Sequence, residues 1–120
     1  MRSARYVIYE LLMKMERGAY SNIALDSVLS SEKLSPEDRR FVSRVFYGVT
    51  ERKITLDYII TQYSKTPPEK LDREVLTVLR MGLYQLMFCD SVPDSAAVNE
   101  SVKLIKEAGK GKASGFVNGL

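Results

Sequence analysis

The side chains that most often carry out chemistry in proteins are scarce in this chain. Its 120 residues include a single cysteine, Cys89, and no histidine. Histidine is the usual acid–base group at neutral pH and a common metal ligand, so catalytic and metal sites both lack their principal residue. Cys89 ends the apolar run 86–89, which favours a thiol packed in the core over an activated nucleophile. We therefore predict no catalytic residue and no metal site.

Residues 109–114, with the sequence GKGKAS, come closest to a phosphate-binding loop. They follow a helical pattern and match neither glycine-rich nucleotide motif, so we predict that this chain binds no cofactor. Lys110 and Lys112 nevertheless flank Gly111 just before the last apolar segment. Lysines beside glycines near a helix start can bind phosphate, and an exposed loop has the same composition, so the sequence leaves both interpretations open.

Arginine and tyrosine recur at helical spacing in residues 40–47, and both residue types suit contacts with RNA. Arg40, Arg44 and Tyr47 lie one turn apart, opposite the apolar stripe of their helix. Two like charges four residues apart destabilise a helix mildly unless a phosphate backbone or a nearby glutamate compensates them. A solvated surface is the simpler interpretation, and an RNA contact is the alternative.

The first predicted helix has a similar second face, which carries Arg2, Tyr6, Tyr9 and Met13. Internal packing of both faces is the simpler interpretation. The alternatives are a surface for RNA, to which Arg5 would also contribute, and a docking face for another protein domain. Tyr6 and Tyr47 would then be available to stack on unpaired bases.

The elements that must position these residues are helices. Apolar residues recur at three- and four-residue steps along nearly the whole chain, and no alternating strand pattern is found. Ser3 and Ser35 would cap helix starts, Gly18 would end the first helix, and Pro67 would prevent another from continuing. We predict an all-α fold, a compact bundle of about six or seven helices. The later helices are expected at 56–63, 72–88 and 95–108, with a last one beginning near Lys112.

The fifth of these helices is apolar all round, which is typical of a helix in the middle of a fold. Within it, Gly82 costs about 1 kcal/mol relative to alanine and therefore indicates a close helix crossing. Pro93 breaks the chain before the sixth helix, and Asp94 or Ser95 would cap that helix. Asn99 and Glu100 would lie in its first turns, as capping residues or as functional contacts.

Composition and charge limit the class of protein. The chain is long enough for one domain with a single core, 45% of its residues are apolar, and its net charge is +3. This balance favours an acidic partner such as nucleic acid. The apolar runs are too short to span a membrane, and a lone cysteine suits a cytoplasmic protein.

Several stretches resemble the NusB-like family of small helical RNA-binding domains. In the second half they are Leu79-Arg80, residues 83–86, Val92-Pro93, residues 98–100 and residues 116–119, in that order. Residues 18–29, 34–60 and 70–86 look like one branch of the family, the N-terminal domains of small-subunit rRNA cytosine-5 methyltransferases. The resemblance covers essentially the whole chain.

The resemblance implies that residues 1–120 form a single helical domain of a longer protein. A catalytic domain would follow Leu120 and bind S-adenosylmethionine, whereas this chain would bind no cofactor. Its partners would be RNA, in particular small-subunit rRNA, and its own catalytic domain. One alternative is a transcription antitermination factor that binds RNA with a ribosomal protein, and another is a structural module that binds no RNA.

The candidate RNA-binding residues combine the patterns described above with one residue from the last motif. Asn118 would form a polar bridge with Asn99 or, by resemblance to the antitermination factor, would contact RNA near Lys112. The full set comprises Arg2, Arg5, Tyr6, Arg40, Arg44, Tyr47, Lys110, Lys112 and Asn118.

Overall fold

The computed structural model describes residues 3–16, 18, 21–31, 33–89 and 91–111. These residues form six α-helices and one short 3₁₀ helix, with no strand among them, which confirms the predicted all-α bundle. The seventh helix, predicted to begin near Lys112, lies outside the described residues. The helices are α1 (Ala4–Glu16), α2 (Ser21–Ser31), α3 (Pro36–Glu51), α4 (Lys53–Tyr63), α5 (Arg73–Phe88) and α6 (Asp94–Glu107).

Local sequence determines where α1 and α3 begin. The Ser35 hydroxyl accepts a hydrogen bond from the Asp38 backbone N–H at 3.1 Å, and Pro36 occupies the first turn of α3. The Ser3 hydroxyl accepts from the Tyr6 N–H at 3.1 Å in the same way. Gly18 follows α1 with a φ of 90°, a backbone conformation that glycine adopts without strain. These caps and this stop agree with the sequence prediction.

One predicted cap and one predicted helix start were wrong. Pro93 itself occupies the N-cap position of α6 and Asp94 is already helical, so neither Asp94 nor Ser95 caps the helix. Helix α4 begins at Lys53, before the predicted residue 56, because only Arg52 separates it from α3. The apolar pattern did not reveal this extra turn, since residues 53–55 are all exposed.

Helix α5 lies in the middle of the fold, as its all-round apolar sequence predicted, and packs against α1, α3, α4 and α6. Val78 and Met81 are completely buried. The helix crosses α6 at Gly82, where an added Cβ would lie only 2.7 Å from the Ser101 hydroxyl oxygen. Cys89, just after α5, is 3% exposed and belongs to the same core, which is the packed environment predicted for its thiol.

Candidate nucleic-acid interface

Arginines from α1 and from α3 with its C-cap contact the last turn of α5; we call Arg5, Arg44 and Arg52 the arginine edge. The Arg44 Nη2 donates a hydrogen bond to the Phe88 carbonyl oxygen at 2.6 Å. The Arg52 guanidinium carbon lies 4.3 Å from the centre of the Phe88 ring. On the α1 side, Arg5 Nε donates to Gln85 Oε1 at 2.9 Å. The edge therefore concentrates positive charge at one end of the central helix.

The close approach of α3 to α5 depends on Gly48, which lies four residues after Arg44 and four before Arg52. An added Cβ at Gly48 would overlap the Tyr84 ring, so only glycine lets that ring lie against α3. Tyr84 in turn contacts Phe88, with ring centres 5.3 Å apart. Because residues four apart share a face of a helix, this contact directs both arginines towards the end of α5.

Arg40 and Tyr47 extend the arginine edge along α3. Both are exposed and lie within one turn of Arg44, so these three predicted RNA-binding residues share one surface. The Tyr47 ring meets the buried Phe46 ring edge-on at a centre-to-centre distance of 5.5 Å. Tyr47 is 37% exposed, so part of this residue remains accessible from solvent.

The second face of α1 packs internally, as the simpler interpretation predicted. Tyr9 is buried, and Tyr6 and Met13 are half-buried against the core. Arg5 is also committed to packing, since its guanidinium lies 5.1 Å from the Phe41 ring centre and its bonding partner Gln85 is 1% exposed. Reversing the charge of Arg5 would therefore disturb the fold as well as any RNA contact.

The same packing does not favour the alternative of a docking face on α1, because its tyrosines and Met13 already contact the core. Large apolar side chains are instead exposed on α4. Ile54 is 87% exposed, Tyr58 63% and Tyr63 72%.

Lys110 lies at the opposite end of α5 from the arginine edge. Its Nζ is 3.5 Å from Asp72 Oδ2 and 4.0 Å from Glu74 Oε2, next to the start of the helix. Helix α5 has 16 residues and is therefore about 24 Å long. The structure thus does not bring Lys110 together with Arg40 and Arg44.

The remaining motif residues have surface or boundary positions. Asn99 is exposed on α6, and Glu100 pairs with Lys103 at 3.9 Å. The other predicted contacts, including the Asn99–Asn118 bridge, involve Arg2, Lys112 and Asn118, which lie outside the described residues.

A cluster of charged residues that the sequence reasoning missed connects α1, α4 and α5. The Arg80 side chain is 7% exposed, and its Nε and Nη2 donate to the two oxygens of Asp57 at 2.7 and 2.8 Å. Its Nη1 donates to Glu16 Oε1 at 3.3 Å. The sequence contains one signal for this cluster, which is an arginine in a helix that is otherwise apolar all round. Since a buried arginine needs a carboxylate partner, Arg80 could have indicated an ion pair inside the fold.

Glu16 also accepts a hydrogen bond from Lys53, at 3.4 Å. Burial by itself raises the pKa of Glu16, but the neighbouring Lys53 and Arg80 outweigh it, so the net pKa lies below the usual value of 4.5. Glu16, Lys53 and Arg80 line a pocket of about 110 Å³ together with Thr77 and other residues. Since these charged groups already pair with one another, we interpret the cluster as a structural connection.

Two further classes of site are absent from the part of the chain that the structure describes. No three or more His, Cys, Asp or Glu side chains there are grouped so as to hold a metal ion. No helix in these ranges is long and apolar enough to cross a membrane.

The fold and its arginine-rich surface define a small helical domain with a charged edge. The NusB family model matches residues 2–120, and the chain belongs to the NusB family. It is 40% identical over 121 residues to "Probable ribosomal RNA small subunit methyltransferase B" of Synechocystis, and this match covers 100% of the chain and 27% of that protein. The Bacillus subtilis protein with the same description is 37% identical, with 98% of this chain and 26% of that protein covered.

The chain therefore spans about a quarter of the length of these two relatives, and it matches their N-terminal part. It is also similar to a shorter protein, "Transcription antitermination protein NusB" of Ruminiclostridium cellulolyticum. That match is 34% identical over 120 residues and covers 98% of this chain and 80% of the relative.

Proposed function

We propose that this chain is an RNA-binding domain that holds small-subunit ribosomal RNA for the catalytic domain of a methyltransferase. The observation that carries the proposal is the pair Arg44 and Arg52 at the end of α5, with Arg40 exposed one turn before Arg44 on α3. The chain is also similar to two methyltransferases named for this RNA. Arginine side chains on one exposed surface suit phosphates, and phosphate contacts position an RNA without reading its sequence. Binding then depends on salt.

In this proposal the methyl transfer takes place on another part of a longer protein. The described residues form no strand and no glycine-rich turn between a strand and a helix, so they do not fit S-adenosylmethionine in a Rossmann-like site. We assign that cofactor to the catalytic domain, and we assign only RNA binding and positioning to the residues of this chain.

The test is to measure binding of the chain to a small-subunit rRNA fragment by fluorescence anisotropy at low and higher salt. We expect the affinity of the unaltered chain to fall as salt rises and Arg40→Gln to weaken binding by about threefold to tenfold at low salt. The matched control is Lys103→Gln, which removes one charge from the exposed side of α6, where the Lys103 side chain is 67% exposed. Undetectable binding at low salt, or equal affinities for the two variants, would contradict the proposal.

The similarity to the Ruminiclostridium antitermination protein favours a second candidate role, because the chain covers 80% of that protein. In that role the domain would bind RNA together with a ribosomal protein. The two roles are distinguished by adding small-subunit ribosomal proteins one at a time to the binding assay. Our proposal predicts no change in RNA affinity, whereas a gain of about tenfold or more with one of them would favour antitermination.

A further inference from the structure

Phe88, the last residue of α5, holds two arginines through two different parts of its structure. Its carbonyl oxygen accepts the hydrogen bond from Arg44 at 2.6 Å. Its ring lies under the Arg52 guanidinium at 4.3 Å. The Cα atoms of these arginines are two helical turns, about 12 Å, apart, yet both side chains converge on this one residue.

These contacts fix the two arginines and leave them able to bind. A guanidinium has five N–H donors, and Arg44 uses only one of them on Phe88. The Arg52 guanidinium carbon lies 4.3 Å from the ring centre and the residue is exposed, so part of the guanidinium is accessible to a ligand from solvent. A side chain that is already ordered loses less conformational entropy when it binds a partner.

Contacts with α3 and α5 keep Phe88 in place. The Phe88 ring packs on the Tyr84 ring, which in turn lies against Gly48 of α3. The C-terminal end of a helix carries a partial negative charge of about half a unit, which offsets only part of two arginine charges.

We propose that Arg44, Arg52 and Phe88 form a binding site for one unpaired nucleotide of an RNA strand. The free N–H groups of the two arginines bind a phosphate, and the Arg52 guanidinium stacks on the base that adjoins it. A base-paired nucleotide presents no free face, so the site favours single-stranded RNA over a duplex. This inference rests on the proposed function and adds the kind of RNA that the surface binds.

The experiment compares a 12-nucleotide pyrimidine-rich single strand with a duplex hairpin, using fluorescence anisotropy at low salt. We expect Arg52→Gln to weaken binding of the single strand by about tenfold and of the hairpin by about threefold or less. Arg52→Lys keeps the charge but loses the planar group, so it should lose most of the same tenfold. Arg40→Gln, which removes a charge one turn before Arg44, should weaken binding of both RNAs about equally.

Circular dichroism verifies that each variant is folded. Phe88→Leu removes the ring that contacts Arg52, so we expect it to weaken binding of the single strand as Arg52→Gln does. If the unaltered chain and Arg52→Gln bind the single strand equally well, the nucleotide site is refuted and the proposed function stands. If Arg52→Lys binds like the unaltered chain, charge alone acts and the stacking contact is refuted. If the unaltered chain binds neither RNA, the proposed function fails together with the inference.

Discussion

At the scale of single residues, two positions determine how neighbouring helices pack. Gly48 is the point where α3 admits the Tyr84 ring, which in turn supports Phe88 and the arginine edge. Arg80 is a buried cation whose two carboxylate partners come from α1 and α4. The missing side chain of Gly48 and the charged side chain of Arg80 each determine how neighbouring helices pack. We therefore expect single substitutions at these contacts to change the stability of the fold measurably.

We expect Gly48→Ala to lower the free energy of unfolding by about 1–3 kcal/mol, because its new methyl group would overlap the buried Tyr84 ring. The better helix propensity of alanine, about 1 kcal/mol, offsets only part of this cost. Urea denaturation measures the difference. The matched control is Gly111→Ala, whose Cβ would have only ordinary contact with Lys106 at 3.7 Å. A Gly48→Ala protein as stable as the unaltered chain would show that the two helices separate at little cost.

Asp57→Asn should lower the free energy of unfolding by about 1–3 kcal/mol, because the bidentate pair with buried Arg80 loses its charge and one acceptor. Glu16 still contacts Arg80, and this limits the loss. The same change at Asp26, which is exposed on α2, is the control and should have almost no effect. Equal urea midpoints for the two variants would mean that the buried pair contributes nothing to stability.

At the scale of the elements, the charged cluster joins the end of α1 to α4 and α5. Its central carboxylate, Glu16, has its pKa held below the usual value of 4.5 by Lys53 and Arg80. A carboxyl group with a depressed pKa in the folded state stabilises the fold above its unfolded pKa. That contribution is lost as the pH falls through the pKa of the folded state, so the connection between these helices should weaken in acid.

We expect the stability difference between the unaltered chain and Glu16→Gln to be largest near neutral pH and to shrink as the pH falls below about 4.5. Urea midpoints measured between about pH 3 and pH 7 give this difference directly. Glu107→Gln serves as the control because Glu107 is exposed near the end of α6. A difference that stays constant across this range would show that Glu16 has the same pKa in the folded and unfolded chains.

The sequence predicted the helices well because helix signals are local. The Ser35 cap involves a residue three positions away, and the apolar positions around α5 revealed its central place. The missed features join residues far apart in the chain. Asp57 and Arg80 are 23 positions apart, and Arg44 and Phe88 are 44 apart. Spacing along the chain contains no information on which of many charged residues meet, so these pairs required the tertiary structure.

At the scale of the whole molecule, the candidate RNA-binding cations that the structure describes lie at the two ends of α5. Arg40 and Arg44 belong to the C-terminal end, whereas Lys110 is placed between Asp72 and Glu74 at the other. The chain has a net charge of only +3, so we expect its RNA binding to be weak and sensitive to salt. An RNA held mainly at the arginine edge would not need to reach Lys110.

This division predicts different salt dependences for two substitutions that each remove one positive charge. Arg40→Gln should reduce the slope of log affinity against log salt by about 0.7 for single-stranded RNA, the value for one lost phosphate contact. Lys110→Gln should leave the slope unchanged, because the two carboxylates beside this lysine already neutralise its charge. Anisotropy titrations at four or five salt concentrations give both slopes. Equal reductions for the two variants would mean that bound RNA spans both ends of α5, over the roughly 24 Å that separate them.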